Sequence, residues 1–206
     1  MQKMKYPTLE KLLSHVRKCH ACEKVLPFYP RPILQAGETA RILIVGQAPG
    51  IHAHMTGTPW NDQSGKRLRA WMCLNTDRFY DTSQIAIIPM GYCYPGRGKS
   101  GDLPPRTECA ALWLEHLQAK LPLIELTLLF GMYAQRHFLG KRCKQSLTET
   151  VKAWRDFTPA YLPLPHPSAR NTLWFKRNPW FVDELLPILQ ERIALSLNHA
   201  NVPCAY

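Results

Sequence analysis

Arg41-Ile42-Leu43-Ile44-Val45-Gly46-Gln47-Ala48-Pro49-Gly50 is the stretch that decides the fold. Its nearly continuous apolar run ends in glycine, which is typical of a buried parallel strand, because a half-exposed antiparallel strand alternates apolar and polar residues. Three further runs of this kind follow along the chain: Ile85–Ile88, Leu126–Phe130 and Tyr161–Leu164. Pro163 restricts the last run to an edge or irregular strand. We therefore expect four strands.

Helical patterns surround these runs. Thr8 is a candidate cap for a first helix, whose apolar face is formed by Leu9, Leu12, Leu13 and Val16. Apolar residues three and four positions apart predict two more helices, one with Leu68, Trp71 and Met72 and one with Ala110, Trp113, Leu114, Leu117 and Leu121. A last helix is predicted to start at Asn178-Pro179 and to run towards Leu197, with a kink or break at Pro187.

The alternation of strands and helices predicts right-handed crossovers and a parallel sheet covered on both faces. The expected fold is thus an α/β fold, a three-layer α/β/α sandwich with a central four-stranded parallel sheet. With 206 residues, the chain has the size of one domain, and we expect residues 1–206 to form it. An N-terminal Cys-x-x-Cys segment, about residues 1–35, is expected to pack on this domain.

The charge of the chain points to a polyanionic partner. Lys and Arg number 26 against 15 acidic residues, a formal net charge of +11, which favours nucleic acid through phosphate contacts and counterion release. No apolar run reaches the roughly 18 to 20 residues that cross a bilayer, and the N-terminus lacks the apolar region of a signal peptide. We expect a cytoplasmic monomer that binds nucleic acid and no membrane.

Two loops each follow a predicted strand, at the edge of the sheet where such folds bind ligands. In the first loop, Gly46–Gly50, glycines let backbone N–H groups approach a ligand, although a tight structural turn explains the same residues. The second loop is His166-Pro167-Ser168-Ala169-Arg170-Asn171. A lone histidine such as His166 is often structural, but Arg170 and Asn171 beside it favour a loop that faces DNA.

These loops carry a family resemblance. Gly46-Gln47-Ala48-Pro49-Gly50, Thr56-Gly57-Thr58-Pro59-Trp60 and His166-Pro167-Ser168 resemble, in this order, the motifs of the uracil-DNA glycosylase superfamily. The likeness covers nearly the whole chain and is nearest to the iron-sulfur branches typified by thermophile enzymes. The loop His166–Asn171 is also similar to that of the single-strand-selective branch. The resemblance implies a four-stranded parallel sheet between helices, base flipping and hydrolysis of the N-glycosidic bond.

The resemblance also implies roles for single residues. A flipped base needs an aromatic platform and hydrogen bonds to its polar edge. By motif position Trp60 is the platform, with a plain core residue as the alternative. His166 is by motif position the donor that stabilises the negative charge on the departing base. Arg170 matches the residue that wedges into the gap left by the flipped nucleotide, or is an ordinary phosphate contact.

Further residues complete the expected site. Base contacts are expected from Gly46, Ala48 and Asn61, and DNA contacts from Ser168, Arg170, Asn171, Arg97 and Lys99. No lysine lies in the two loops to form a Schiff base with the sugar, which predicts a monofunctional enzyme.

The chain departs from its relatives at the residues that position the attacking water. Many relatives carry an acidic or amide residue at the position of Ala48, and the branch nearest in cysteine pattern has Glu where this chain has Gln47. We keep Gln47 as a catalytic candidate. Asp62 and the histidines His52 and His54 are possible substitutes, although Asp62 is also a candidate helix cap and the histidines are candidate surface or DNA-facing residues.

A second departure concerns the reading of the base. Relatives often present an asparagine at the end of the second strand, where this chain has Ile88-Pro89-Met90-Gly91. Backbone groups of this stretch, or Asn61, are the expected replacements.

Four of the seven cysteines form a candidate metal site. Cys19 and Cys22 are a Cys-x-x-Cys pair, and Cys93 and Cys109 follow at positions that resemble those of the iron-sulfur branches. The resemblance implies a 4Fe-4S cluster, since four thiolates suit one. A structural zinc site needs the same four thiolates and is the alternative, as are unliganded thiols. The remaining cysteines, Cys73, Cys143 and Cys204, are expected to be buried or tail thiols.

The sequence thus predicts a DNA glycosylase that removes uracil or another deaminated base and so initiates base-excision repair. A glycosylase for a different damaged base, such as hypoxanthine, is the first alternative. The second is a DNA-binding member of the superfamily without catalysis, which the missing carboxylates favour and the retained His166 and Trp60 oppose.

Overall fold

The computed structural model describes residues 6–198. The strands are β1 (Ile42–Val45), β2 (Ile85–Ile87), β3 (Arg97–Gly98), β4 (Gly101–Asp102), β5 (Leu126–Phe130) and β6 (Tyr161–Leu164). Four of them form a parallel sheet in the order β2-β1-β5-β6, and β3 and β4 pair as a separate antiparallel hairpin. The predicted four-stranded parallel sheet is confirmed, and its strands coincide with the four apolar runs.

The helices cover both faces of this sheet. The α-helices are α1 (Leu9–Arg17), α2 (Ile51–Thr56), α3 (Gln63–Trp71), α4 (Thr76–Phe79), α5 (Thr107–Cys109), α6 (Glu115–Gln118), α7 (Met132–Leu139), α8 (Leu147–Lys152), α9 (Thr172–Arg177) and α10 (Leu186–Ser196). Short 3-10 turns span Glu23–Val25, Gly140–Arg142, Trp154–Phe157 and Ala169–Asn171. π-helical segments, Ala110–Leu114 and Phe181–Leu185, join α5 to α6 and precede α10. The three-layer α/β/α arrangement is therefore confirmed.

Alternating side chains of the strands feed two separate cores. Leu43 and Val45 of β1 face the core that also contains residues of α1, of the helical stretch from α5 to α6, and of α7. Ile42 and Ile44 face the opposite core, which contains α3 and α10. Because every residue of β1 is buried, the apolar run at this position reflects a strand with helices on both sides.

Two of the predicted helix starts are confirmed by their caps. The side chain of Thr8 accepts a hydrogen bond from the Lys11 N–H at 3.3 Å, and α1 buries Leu9, Leu12, Leu13 and Val16, as expected. Asp62 Oδ1 accepts from the Gly65 N–H at 2.8 Å at the start of α3. Each carboxylate or hydroxyl satisfies a backbone donor that the first helical turn leaves unpaired.

The last helix has no break at Pro187, and a kink there stays a prediction. Helical hydrogen bonding starts after Asn178-Pro179, as expected, but the chain stays helical through Pro187. The π-helical segment Phe181–Leu185 lies just before this proline. Because proline lacks the N–H that an α-helix would use, a widened turn accommodates it without a break.

Each of the two edge strands of the sheet, β2 and β6, has a feature that changes the hydrogen-bonding groups at its outer edge. Gln35 forms an isolated antiparallel bridge with Ile87, and its N–H and C=O both bond the Ile87 backbone, so the segment before β1 lies along the β2 edge. At the other edge, Pro163 lies in β6 opposite Leu129, where the sequence places it. Within residues 6–198, no helix is long and apolar enough to cross a membrane.

Candidate active site

A cavity of about 400 Å³ opens at the carboxyl ends of β1 and β6. Most of the predicted site residues line it: Gly46, Gln47, Ala48, Trp60, Asp62, His166, Ser168, Arg170 and Asn171. Both loops that follow strands thus meet in one cavity, because the carboxyl ends of parallel strands share one edge of the sheet.

His166 is held in one tautomer. Its Nδ1 accepts a hydrogen bond from the Ser168 N–H at 3.2 Å, so the ring proton of the neutral form resides on Nε2. Burial lowers the pKa of His166 to about 4, and the positive charge of Arg170 acts in the same direction. At neutral pH the side chain is therefore an uncharged imidazole with its remaining N–H available to a ligand.

Asn171 fixes the backbone of the same loop. Its side-chain amide donates to the His166 carbonyl oxygen at 2.7 Å. Ser168 also accepts, through its hydroxyl, a hydrogen bond from the Arg170 N–H at 3.2 Å. The loop that holds His166 is thus cross-linked internally, which fixes the direction of the imidazole.

Trp60 forms a wall of the cavity and also contacts the core. Its ring stacks on His166 with centroids 5.1 Å apart and an interplanar angle of 27°, and it meets Phe130 edge-on at 5.7 Å. Gly46 lies against it, because a β-carbon there would be 3.1 Å from Trp60 Cζ2. Trp60 therefore lines the cavity and packs on the core at the same time, and its role as the platform for a flipped base stays a prediction.

The backbone of Trp60 is strained. Its φ of 55° lies in the left-handed region, which costs a bulky residue of order 1–3 kcal/mol. The Trp60 carbonyl lies directly on Gly65 of α3, where a β-carbon would be 1.7 Å from the carbonyl oxygen. Arg69 also donates to this oxygen, at 3.3 Å. Gly65 is thus required for the conformation that places Trp60 in the cavity.

Gln47 and the hairpin β3-β4 are connected. The Gln47 side-chain amide donates to the Leu103 carbonyl oxygen at 3.1 Å, just after β4. The Gln47 and Gly46 carbonyl oxygens accept from the Gly91 and Met90 N–H groups, each at 2.9 Å. The N–H groups of Met90 and Gly91 are therefore occupied. Pro89 of the same stretch lines the cavity, and a base contact through the remaining backbone groups of Ile88–Gly91 stays a prediction.

Arg170 reaches across the cavity entrance to the hairpin. Its Nη1 donates to the Ser100 carbonyl oxygen at 3.2 Å. A β-carbon on Gly101 would lie 2.0 Å from the same Nη1, and Gly101 has a φ of 146°, so glycine is needed at this contact. Arg170 thus lies between the His166 loop and the hairpin.

Several expected residues lie outside the cavity. Asn61 is exposed and does not line the cavity, although its neighbours Trp60 and Asp62 do, so its contact with the base stays a prediction. His52 is exposed, and the His54 ring packs on Phe28 with centroids 5.1 Å apart. Neither histidine lines the cavity, which leaves Asp62 as the substitute carboxylate from the sequence analysis. Arg97 and Lys99 are exposed on the hairpin beside the cavity.

Four lining residues were missed in the sequence: Ile33, Ala53, Ser64 and Asp102. They come from the N-terminal segment, α2, α3 and the hairpin, at positions outside the motifs. Only the fold brings them to the loops. Asp102 matters most among them because it adds a second carboxylate to the cavity.

The four cysteines of the candidate metal site line one small cavity, together with Tyr92, Arg106 and Trp113. The Tyr92 N–H donates to Cys109 Sγ at 3.3 Å. Within the described residues, the buried Tyr92 Oη and Trp113 Nε1 have no hydrogen-bond partner. A sulfur-rich group would fit this donor set, because its sulfur atoms accept such hydrogen bonds.

Burial favours the protonated thiol at three of these cysteines, Cys22, Cys93 and Cys109, because it raises the pKa of each. Burial raises the pKa of Cys93 to about 12 and of Cys109 to about 11. Among residues 6–198, no group of three or more His, Cys, Asp or Glu side chains is arranged to hold a metal ion without adjustment. The four thiols are therefore gathered around one cavity but do not converge on a single point.

The other cysteines differ from each other. Cys143 is a partly buried free thiol, whereas Cys73 is disulfide-bonded, so the expectation of a thiol at Cys73 is wrong. Cys204 lies outside the described residues.

Comparison with known proteins gives two findings. The sequence model of the uracil DNA glycosylase superfamily matches residues 34–190. The chain is also similar to a solution NMR structure from Methanosarcina acetivorans, solved as a candidate uracil DNA glycosylase, at 17% sequence identity and a TM-score of 0.41. That match covers 78% of this chain and 98% of the other.

Proposed function

The chain belongs to the uracil DNA glycosylase superfamily, and from this premise we propose that it is a monofunctional DNA glycosylase that removes uracil or another deaminated base from DNA. The observation that carries the proposal is the neutral His166, whose Nδ1 accepts from Ser168 and whose Nε2–H is free to donate in a cavity shared with Trp60.

The proposed reaction uses His166 as a hydrogen-bond donor. Cleavage of the N-glycosidic bond leaves its electron pair on the base, and the resulting charge spreads to the carbonyl oxygens of the base. An N–H that is already oriented towards such an oxygen stabilises the transition state more than the ground state. A neutral imidazole supplies this donor without the cost of burying a cation.

The DNA is proposed to approach over the His166 loop and the hairpin. Arg170, Arg97 and Lys99 offer positive charge around the cavity entrance, and the whole chain carries a net charge of +11. Phosphate contacts through these side chains, and through Ser168 and Asn171, would hold the strand while the base turns into the cavity.

The proposed enzyme is monofunctional. Among the described residues that line the cavity there is no lysine, whose amine would be needed to form a Schiff base with the sugar. We also propose that residues 1–206 form one domain and that the protein acts as a cytoplasmic monomer.

The function is tested with labelled single- and double-stranded oligonucleotides that carry uracil, hypoxanthine or xanthine, followed by alkaline cleavage of abasic sites. We expect product from uracil. If product forms from hypoxanthine alone, the assigned substrate would be a different damaged base. No product from any of them, with binding to the same DNA retained, would replace the enzyme with a DNA-binding protein.

We propose further that Cys19, Cys22, Cys93 and Cys109 hold a 4Fe-4S cluster, with structural zinc as the alternative. The support is that all four thiols line one cavity, with a backbone donor to Cys109 and two unpaired side-chain donors beside it. Bound there, the cluster would supply positive iron centres that stabilise the thiolates and tie residues 19–22 to residues 93–109.

Protein purified without exposure to air is expected to be coloured and to contain iron and acid-labile sulfide in equal amounts. Cys93→Ser should lose both colour and iron, because one of the four ligands is removed. Cys143→Ser is the matched control, since Cys143 is a free thiol outside the cavity, and it should keep both. Colourless wild-type protein with bound zinc would establish the alternative, and metal-free protein would contradict both.

A further inference from the structure

Asp102 brings a carboxylate to the Gly46–Gly50 loop from a distant part of the chain. It lines the candidate active-site cavity at the end of β4. A β-carbon added to Gly50 would lie 3.7 Å from Asp102 Oδ2, so the carboxylate is next to this turn. Within residues 6–198 it makes no hydrogen bond or ion pair, which leaves both oxygens free to bind water.

The hairpin that carries Asp102 is tied to the cavity on two sides. Gln47 donates to the Leu103 carbonyl oxygen on one side, and Arg170 donates to the Ser100 carbonyl oxygen on the other. The Leu103 N–H also donates to the Gly96 carbonyl oxygen at 2.8 Å, which closes the hairpin. Asp102 therefore lies on a braced element between two fixed points, as a group that acts on a reacting atom requires.

Asp62 is the other carboxylate among the described lining residues, and it has a different task. Its Oδ1 caps α3 through the Gly65 N–H, and its charge favours the protonated form of His166. Because one Asp62 oxygen is held by the helix cap and its charge acts on His166, this carboxylate is already engaged, whereas both oxygens of Asp102 are available to water.

We propose that Asp102 is the catalytic residue that positions and deprotonates the attacking water, which rests on the proposed glycosylase function. The water oxygen forms a bond to the sugar C1′ and its proton passes to an Asp102 oxygen. The C1′–N bond breaks, and its electron pair leaves with the base, whose oxygen accepts a hydrogen bond from His166 Nε2. The base or solvent later takes the proton, so one water is consumed and a free base and an abasic site are formed.

The test compares Asp102→Asn with wild type in single-turnover base release from a uracil oligonucleotide, over a range of enzyme concentrations. We expect the maximal rate to fall by about 100-fold or more, because a general base contributes about this factor. The enzyme concentration that gives half this rate should stay unchanged. The matched control is Asp77→Asn, the same change at an exposed carboxylate on α4 outside the cavity, which should behave as wild type.

A second variant separates chemistry from folding. In Asp102→Ala, added formate is expected to restore part of the lost rate, because a small carboxylate can occupy the emptied position, whereas a structural loss would not respond. Wild-type rates in Asp102→Asn, or weaker binding with an unchanged maximal rate, would overturn the inference and leave the glycosylase function intact. Wild-type protein that releases no base from any substrate would overturn both.

Discussion

His166→Ala is expected to lower the single-turnover rate of base release by about 100- to 1000-fold, the usual cost of removing one donor to a developing negative charge. The physical reason is that Ser168 occupies Nδ1, so Nε2–H is the donor that alanine deletes. Binding to DNA should change little, because the imidazole is neutral and contributes no attraction to phosphate. Rate and affinity are measured separately, by single-turnover release and by titration of a labelled product strand.

His137→Ala is the control for this variant. His137 is exposed on α7 and lies outside the cavity, so its loss should leave the rate of base release unchanged. A His166→Ala protein that folds and cleaves like wild type would remove the histidine from the proposed mechanism. A variant that binds DNA poorly but cleaves at the normal maximal rate would assign it to binding instead.

The same histidine gives the folding stability a predictable response to acid. Burial lowers its pKa from an ordinary 6.5 to about 4, so the unfolded chain takes up a proton more readily than the folded one. Between pH 6.5 and 4 this difference lowers the free energy of unfolding as the pH falls, and above 6.5 the contribution is constant. Denaturant titrations of wild type and His166→Gln at several pH values should show a smaller acid dependence in the variant.

Gly65→Ala is expected to damage both stability and the site, because the added β-carbon would lie 1.7 Å from the Trp60 carbonyl oxygen. The β-carbon is attached directly to the backbone in the first turn of α3, and its partner is a backbone carbonyl oxygen. Neither atom can move aside as the end of a flexible side chain would. We expect a loss of about 3 kcal/mol in the free energy of unfolding, at the upper end of overpacking costs. Relief of the clash would displace Trp60, so base release should also slow.

Lys66→Ala is the matched change for this experiment. Lys66 is the next residue of α3 and is exposed, so its replacement should alter the free energy of unfolding by no more than about 0.5 kcal/mol. Chemical denaturation measures both variants, and near-ultraviolet circular dichroism reports the environment of the tryptophans. A Gly65→Ala protein as stable and active as Lys66→Ala would show that the left-handed Trp60 conformation is dispensable.

The sequence was sufficient for the sheet because local patterns encode it. Ile42–Val45 is apolar at every position, and burial on both faces is the reason a parallel strand has this pattern. Pro163 predicted an edge strand for an equally local reason, because proline has no backbone N–H to donate to a neighbouring strand. The helical passage through Pro187 was not predictable in the same way, because a π-helical turn depends on the packing of Phe181 and Leu185 in the core.

The candidate site was predictable only where a motif supplied it. Gly46, Trp60 and His166 lie in motifs and line the cavity together. Asp102 lies in a Gly/Pro-rich stretch with no pattern of its own, and only the contacts of Gln47 and Arg170 bring that stretch to the loops. Asn61 follows Trp60 directly but does not line the cavity, because the left-handed backbone of Trp60 changes the direction of the chain there.

The two outer strands of the sheet have a consequence for how the protein behaves at high concentration. An uncovered strand offers unpaired N–H and C=O groups to other chains and so seeds aggregation. Here the Gln35 backbone bonds to Ile87 at one edge, and Pro163 removes a donor at the other. Replacing Pro163 with valine would restore that donor, and the edge would then be able to recruit a strand from a second molecule.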